Sequence, residues 1–373
     1  MANTTVSSDL QVTKYLSDFF QEYIRNSRFS RYTGTGSNNV ITIKEGRKKI
    51  EVPLVTRLKG NGVEGSATLR GNGEAIGNYG LTLTPTYYRH AVEFDKEELE
   101  KPNIDLMKAA KPLLMDWAKE LQRDHIIEAM GAIYDGTTYA NLGSSAAGAN
   151  DTWNTNNQDR ILYGAAKSNL SAGNHTTSLA NVDTTADKLD TGIVSLAKRM
   201  AQQADAHIRP LRNTEDEEAF IMFCDPYAFR DLKADTAIQQ AQREGLQRGA
   251  RFQPLMTGGD LLWDNVIIRE IPEIADFIDG TSGTNGVWGG NATADGLNTA
   301  GDSSSRVGVC FLCGQQALSY GLGQRPMTKI DRLYDFEFQP GCAVELKHDI
   351  QKSYFNDKQH GMVTVFVSAA VDS

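Results

Sequence analysis

Residues 59–80 hold seven glycines, at positions 60, 62, 65, 71, 73, 77 and 80, and few large apolar side chains, yet strand-patterned sequence flanks them on both sides. Ahead of them Ile50, Val52 and Leu54 alternate with Glu51 and Pro53, the period of a half-buried strand with its proline at an edge. Behind them a second alternating run covers residues 81–84 and continues through His90, Val92 and Phe94. Two strands joined by a long, polar, glycine-rich tip make a projecting hairpin. A lone two-stranded ribbon buries too little to hold itself in place, so the pattern calls for a receiving surface, and the expected one is another copy of the same chain.

The rest of the chain reads as mixed α and β. Leu113, Leu114, Trp117, Leu121, Ile126, Ile127, Met130 and Ile133 keep a period near 3.6 and predict a long helix within residues 104–134. Because proline suits a first helical turn, the main helix is expected to start at Pro112, after a separate or kinked turn, and to stop at Gly136. Residues 136–185 and 279–305 are rich in Gly, Ala, Ser, Asn and Thr and read as surface loops or small insertions. Between them, helices at 187–206 and 227–233 alternate with strands at 220–224, 266–271 and 307–312, which predicts a compact α/β or α+β domain over residues 186–325. The last strands set Cys342, Val344 and Leu346 on one face and end in the apolar run 362–367.

The first residues form a different kind of segment. Leu16, Phe19, Phe20, Tyr23 and Ile24 recur at helical spacing and predict a short amphipathic helix, followed by a polar, glycine-containing stretch over 25–36. Such a helix must bury its apolar face against later sequence or a neighbouring chain, which suits an extended N-terminal arm. The whole chain carries a net charge of −9, which excludes nucleic-acid binding over its entire surface. Residues 1–50 instead carry eight basic against four acidic side chains, a local +4. That arm reads first as a solvated or subunit-contacting segment and second as a DNA contact, with Arg25, Arg28 and Arg31 as the DNA-facing candidates.

At 373 residues the chain has room for one extended or two modest domains. No apolar run approaches the roughly 18 residues of a membrane span, so no membrane partner is expected. Met1-Ala2-Asn3-Thr4-Thr5 has neither the basic nor the apolar part of a secretory signal, and synthesis and folding in a cytoplasm are expected. Cys224, Cys310, Cys313 and Cys342 show no disulfide framework.

Motifs that could carry chemistry are incomplete. Gly60-Asn61-Gly62-Val63-Glu64-Gly65 satisfies GxGxxG but lacks the helix that would present its N-terminus to a pyrophosphate. Cys310-Phe311-Leu312-Cys313 has redox or metal spacing, yet it lies in an apolar strand-like run with no second pair of ligands. On the long helix Asp116, Glu120, Asp124, His125 and Glu128 interleave with Lys119 and Arg123 as ordinary surface ion pairs would. His90 and Glu93 fall on opposite strand faces. No catalytic, cofactor-binding or metal-binding residue is expected, and the chain reads as a structural protein rather than an enzyme.

The order arm, hairpin, long helix, α/β domain and returning strands resembles the Hong Kong 97 type of tailed-phage capsid protein. Locally, Leu58-Lys59-Gly60-Asn61-Gly62-Val63-Glu64-Gly65, Thr68-Leu69-Arg70-Gly71-Asn72 with Glu74, and Arg89-His90-Ala91-Val92 are similar to the hairpin signature of the N4-type major capsid proteins. The resemblance is clearest over residues 50–134. It implies an α+β, HK97-like fold with an N-terminal arm (1–45), an extended hairpin or E-loop (46–100), a peripheral domain with a spine helix (101–185), an axial domain (186–329) and returning strands (330–373). It implies a major capsid protein that self-assembles, through hexameric and pentameric capsomers, into an icosahedral virion shell around double-stranded DNA, built in the host cytoplasm. Scaffold and portal proteins, and a decoration protein, would be its partners, with DNA contacted non-specifically. The expected assembly interface comprises Gly60, Gly62, Val63, Gly65, Leu69, Gly71, Asn72 and Glu74 of the tip and Phe19, Phe20 and Tyr23 of the arm. The alternatives are an encapsulin-like nanocompartment shell, a tail or attachment protein, and a small-molecule or redox enzyme built on residues 186–325.

Overall fold

The apolar runs Val307–Cys313 and Met362–Ser368 are antiparallel neighbours, with Cys310 opposite Val365, and every residue of both is buried. Strands covered on both faces need no polar alternation, which is why these runs read as almost continuously apolar. The computed structural model describes residues 27–66, 68–97, 106–134, 136, 139–142, 147–212, 217–245, 260–280, 286–289, 296–298, 301, 305–331 and 338–372. Among these the chain divides into a larger unit, drawn from residues 28–85, 123–323 and 348–373, and a smaller one, drawn from 86–122 and 324–347.

The larger unit is built on a mixed sheet in the order Leu261–Trp263, Val266–Glu270, Glu218–Cys224, Val307–Cys313, Met362–Ser368 and Ile161–Tyr163, with Leu211–Arg212 beside the start of Glu218–Cys224. Period-two alternation sorts its side chains. Met222, Cys224, Cys310, Leu312, Val363 and Val365 face helices Thr191–Gln203 and Pro226–Ala234, which present Ile193, Val194, Ala197, Phe229 and Leu232. Ile221, Phe223, Val309, Phe311 and Phe366 face the other way, onto Trp153, Trp288, Ile127 and Met130. Local chemistry fixes where the covering helices begin: the Asp190 carboxylate accepts from Ile193 N at 2.7 Å, and Pro226 occupies a first turn. Near the chain's start, Phe29 and Tyr32 pack edge-on against Phe223, and Ile41–Glu45 runs parallel to residues 318–322.

The two stretches read from sequence as surface loops are not superficial. Trp153, Leu162, Tyr163, Leu179, Val182, Trp288 and Leu297 are all buried. Their surroundings explain how small polar residues can enclose them. The first stretch holds regular elements, the helices Ala147–Asn156 and His175–Ala180 and the strand Ile161–Tyr163, and side chains satisfy backbone groups between them: Asn157 donates to Trp153 O and accepts from Gln359 N, and Ser178 accepts from Ser171 N.

In the smaller unit Leu114 and Ala118, one helical turn apart, meet Cys342, Val344 and Leu346, which share one face of a strand, and Tyr88, Val92 and Trp117 close the cluster. The helix itself is continuous over Leu106–Gly131, with Pro112 inside it. It does not start at the proline, because Ala110 before it and Leu114 after it are both buried, and tertiary packing outweighs one lost backbone bond. It ends at Gly131, not Gly136. A Cβ at Gly131 would lie 2.1 Å from the Trp288 ring, so the helix end closes on the indole only with glycine there.

Candidate assembly interface

Ile50–Val55 and Asn78–Leu83 pair antiparallel, Val52 opposite Leu81 and Pro53 opposite Gly80. Leu81 and Leu83 are buried at the base, while Glu51, Pro53 and Val55 are exposed. The ladder is extended by Thr56 N donating to Gly77 O at 2.9 Å. Beyond that point a side chain replaces the ladder. The Glu74 carboxylate accepts from Lys59 N at 2.8 Å and Gly60 N at 2.6 Å, and these two donors hold its pKa below the usual range. The approach at Gly60 is close, since a Cβ there would sit 2.8 Å from Glu74 Oε2 and the carboxylate would have to shift. The turn beyond is fixed by Asn72, whose N donates to Leu69 O and whose Nδ2 donates to Thr68 O, with Gly71 at φ 91°. That left-handed backbone favours glycine.

The sequence-predicted tip residues thus fall together on one projection: Gly60, Gly62, Gly65, Leu69, Gly71, Asn72 and Glu74 are exposed, and Val63 is half-buried. Leu58, Leu69 and Ile76 are 60%, 69% and 64% exposed, an apolar set on a strand pair with no core of its own. Leu58 and Ile76 were absent from the expected interface, although apolar residues inside a glycine-rich polar stretch were a usable signal. No helix follows the GxGxxG glycines; turn and extended chain lead into Asn78–Leu83, so the dinucleotide reading has no phosphate site. Phe19, Phe20, Tyr23 and Arg25 lie outside the described residues. Arg28 donates to Glu270 O at 2.6 Å, and Arg31 lines a cleft shared with Arg212, Glu217 and Glu218.

The largest pKa shifts belong to buried groups. Cys310 and Cys313, three apart in a strand, point to opposite faces, and Cys310 instead lies opposite Cys224 in register. All are free thiols, and burial pushes those of Cys224 and Cys313 far up, the opposite of a reactive thiolate. Lys352 is buried beside Trp153 and Tyr354, with Nζ 3.4 Å from Gln359 Oε1, and burial lowers its pKa to about 7. His125 Nδ1 meets His348 Nε2 at 2.8 Å, so the helix histidine has a histidine partner far away in sequence rather than a place in a surface ion-pair pattern. Burial, then the His125 charge, lowers His348 to about 4. Among the described residues no group of three or more His, Cys, Asp and Glu side chains is placed to hold a metal ion.

Comparison with known proteins gives one answer over nearly the full length. A family model described as phage capsid protein matches residues 3–371. The major capsid protein of Pseudomonas phage KPP25 is 24% identical over 371 residues, covering 94% of this chain and 93% of that one. The solved capsid asymmetric unit of cyanophage Pam1 is 32% identical, covers 100% of both chains and superposes with a TM-score of 0.85. The capsid of Ralstonia phage GP4, 21% identical with 100% of both chains covered, shares the fold at a TM-score of 0.72.

Proposed function

Since this chain belongs to the phage capsid protein family and is an HK97-like major capsid protein, a structural protein of the virion shell and not an enzyme, we propose how its parts close that shell. The hairpin of one subunit lies across the long helix and outer domain of its neighbour, and the N-terminal arm, through Phe19, Phe20 and Tyr23, extends over another. Hexameric and pentameric capsomers form by repeating these contacts. The observation that carries the reading is the exposure of Leu58, Leu69 and Ile76 on a hairpin that leaves them nothing to pack on within its own strands. Apolar burial at about 25 cal/mol per Å² turns many such modest contacts into a shell able to resist packaged DNA.

Arg25, Arg28 and Arg31 are the proposed DNA-facing groups, supported by the local positive charge of residues 1–50. Assembly in the host cytoplasm, with scaffold and portal proteins and a decoration protein, belongs to the same proposal. So does membership of the N4-type group, which rests on the hairpin residues alone. Replacing residues 61–73 by a short Gly-Ser linker, which keeps the Glu74 clamp, tests the interface. The expected product has an unchanged unfolding transition and forms no closed shells in negative stain; normal shells would overturn the reading.

A further inference from the structure

The hairpin's neck is tied to its own subunit by a residue far away in sequence. Lys59 Nζ donates to Asp205 Oδ1 at 2.7 Å and Oδ2 at 3.0 Å, and the Lys59 ammonium holds the Asp205 carboxyl below its usual range. An exposed ion pair ordinarily contributes little, because both side chains must be ordered to make it. Here one partner is already ordered. Asp205 O and Ala206 O accept from Arg160 Nη2 at 2.5 and 2.8 Å, and Asp205 N donates to Asp159 Oδ2 at 3.0 Å. Arg160 is itself buried, and its Nη1 donates to Gln359 O. On the hairpin side the Lys59 backbone is held, since its N donates to Glu74. The pair spans a cleft of about 630 Å³ whose lining mixes charged groups, Arg57, Glu74, Arg160 and Lys358 among them, with Val55 and Phe355. Across that gap the ion pair is a direct polar link between the neck and residue 205.

We infer that Asp205 is a positioning residue for assembly: held in place by Arg160, it aims the hairpin through Lys59 at the surface that receives it. The inference rests on the hairpin being an assembly interface. The test is Asp205→Lys in the full-length chain, which leaves the hairpin sequence and the backbone bonds of residue 205 intact. The expected yield of closed shells falls about two- to fivefold, the population bias of one favourable exposed pair per subunit. The unfolding transition stays where it was, and trypsin cleaves faster after Arg70. Adding Lys59→Glu reverses the pair and restores both the yield and the protection. If Asp205→Lys lowers subunit stability, Asp205→Asn reads the same loss without the reversed charge. Wild-type yield and protection in a folded Asp205 variant, or a defect that Lys59→Glu leaves untouched, overturns the inference. Normal shells after replacement of residues 61–73 would instead sink the hairpin reading itself, so the two failures are distinguishable.

Discussion

The strands Val307–Cys313 and Met362–Ser368 bury every residue, whereas Ile50–Val55 and Asn78–Leu83 bury mainly Leu81 and Leu83 and carry exposed Leu69 and Ile76 between them. Both are antiparallel pairs with full backbone ladders. Hydrogen bonding therefore does not distinguish them; what covers their faces does. The central pair gains its stability within the subunit, from two covered faces. The hairpin gains little there, so its sequence is free to answer to a neighbouring subunit. Substitutions should separate accordingly, those in the sheet altering folding and those in the hairpin altering assembly.

The largest effect is expected at Phe366. Its ring stacks on Tyr163 with centroids 4.9 Å apart and meets His175 edge-on at 5.6 Å. Phe366→Ala should cost about 3–5 kcal/mol in urea unfolding of the unassembled subunit, from lost burial and the cavity left behind. A loss below about 1 kcal/mol would mean the sheet is not what holds the unit together.

Lys352 gives a change of opposite sign. Its folded pKa, lowered by burial to about 7, lies well below the roughly 10.4 of an unfolded lysine. The unfolded chain thus binds more protons between about pH 7 and 10, and stability rises with pH across that window. Stability from this group is present above the unfolded value and is lost as pH falls through 7. Lys352→Met should remove that slope and stabilise the subunit at pH 7 by about 1–4 kcal/mol. Unfolding curves of both proteins at pH 7, 8.5 and 9.5 check it; parallel slopes would show that the ammonium is solvated.

How much of this was legible follows from the range of the interactions. The hairpin could be read because its glycines and its period of two are local, and Val307–Cys313 because a strand covered on both faces is apolar throughout. Trp153 and Trp288 were hidden in stretches without a period, since a single large side chain among small and polar neighbours, as in the helix Ala147–Asn156, leaves no apolar repeat. The spacing of Cys310 and Cys313 suggested a pair, but strand alternation sends them apart, and the neighbour of Cys310 is Cys224 from another strand. Lys59 and Asp205 are 146 residues apart, and His125 and His348 are 223 apart. Only the topology brings either pair together.

The histidine pair gives a smaller, pH-dependent effect within the larger unit. His348 is lowered to about 4, against about 6.5 unfolded, by burial and by His125, which faces Glu128, Asp124 and Asp349. The unfolded state binds more protons between those values, so stability falls as pH drops from about 6.5 towards 4. His348→Gln should reduce that acid loss by about 1–3 kcal/mol while changing little at pH 7.5. Unfolding midpoints at pH 7.5, 5.5 and 4.5 measure the difference, and an unaltered acid slope would remove His348 from the account.

Leu69→Ser should have the smallest effect on the subunit and so puts the contrast between the two regions to its sharpest test. The side chain is 69% exposed, and its serine replacement keeps the backbone that Asn72 N bonds through Leu69 O. Unfolding of the isolated subunit should therefore shift by no more than about 0.5 kcal/mol, as for surface changes generally. On the proposed interface the same position would lose an apolar contact once per subunit, and the loss would repeat over every copy. The expected outcome is wild-type unfolding together with a clear drop in closed shells, read by sedimentation and negative stain on one preparation. A stability loss like that of Phe366→Ala would place Leu69 in the subunit's own core; unchanged shells would leave the exposed tip without an assembly role.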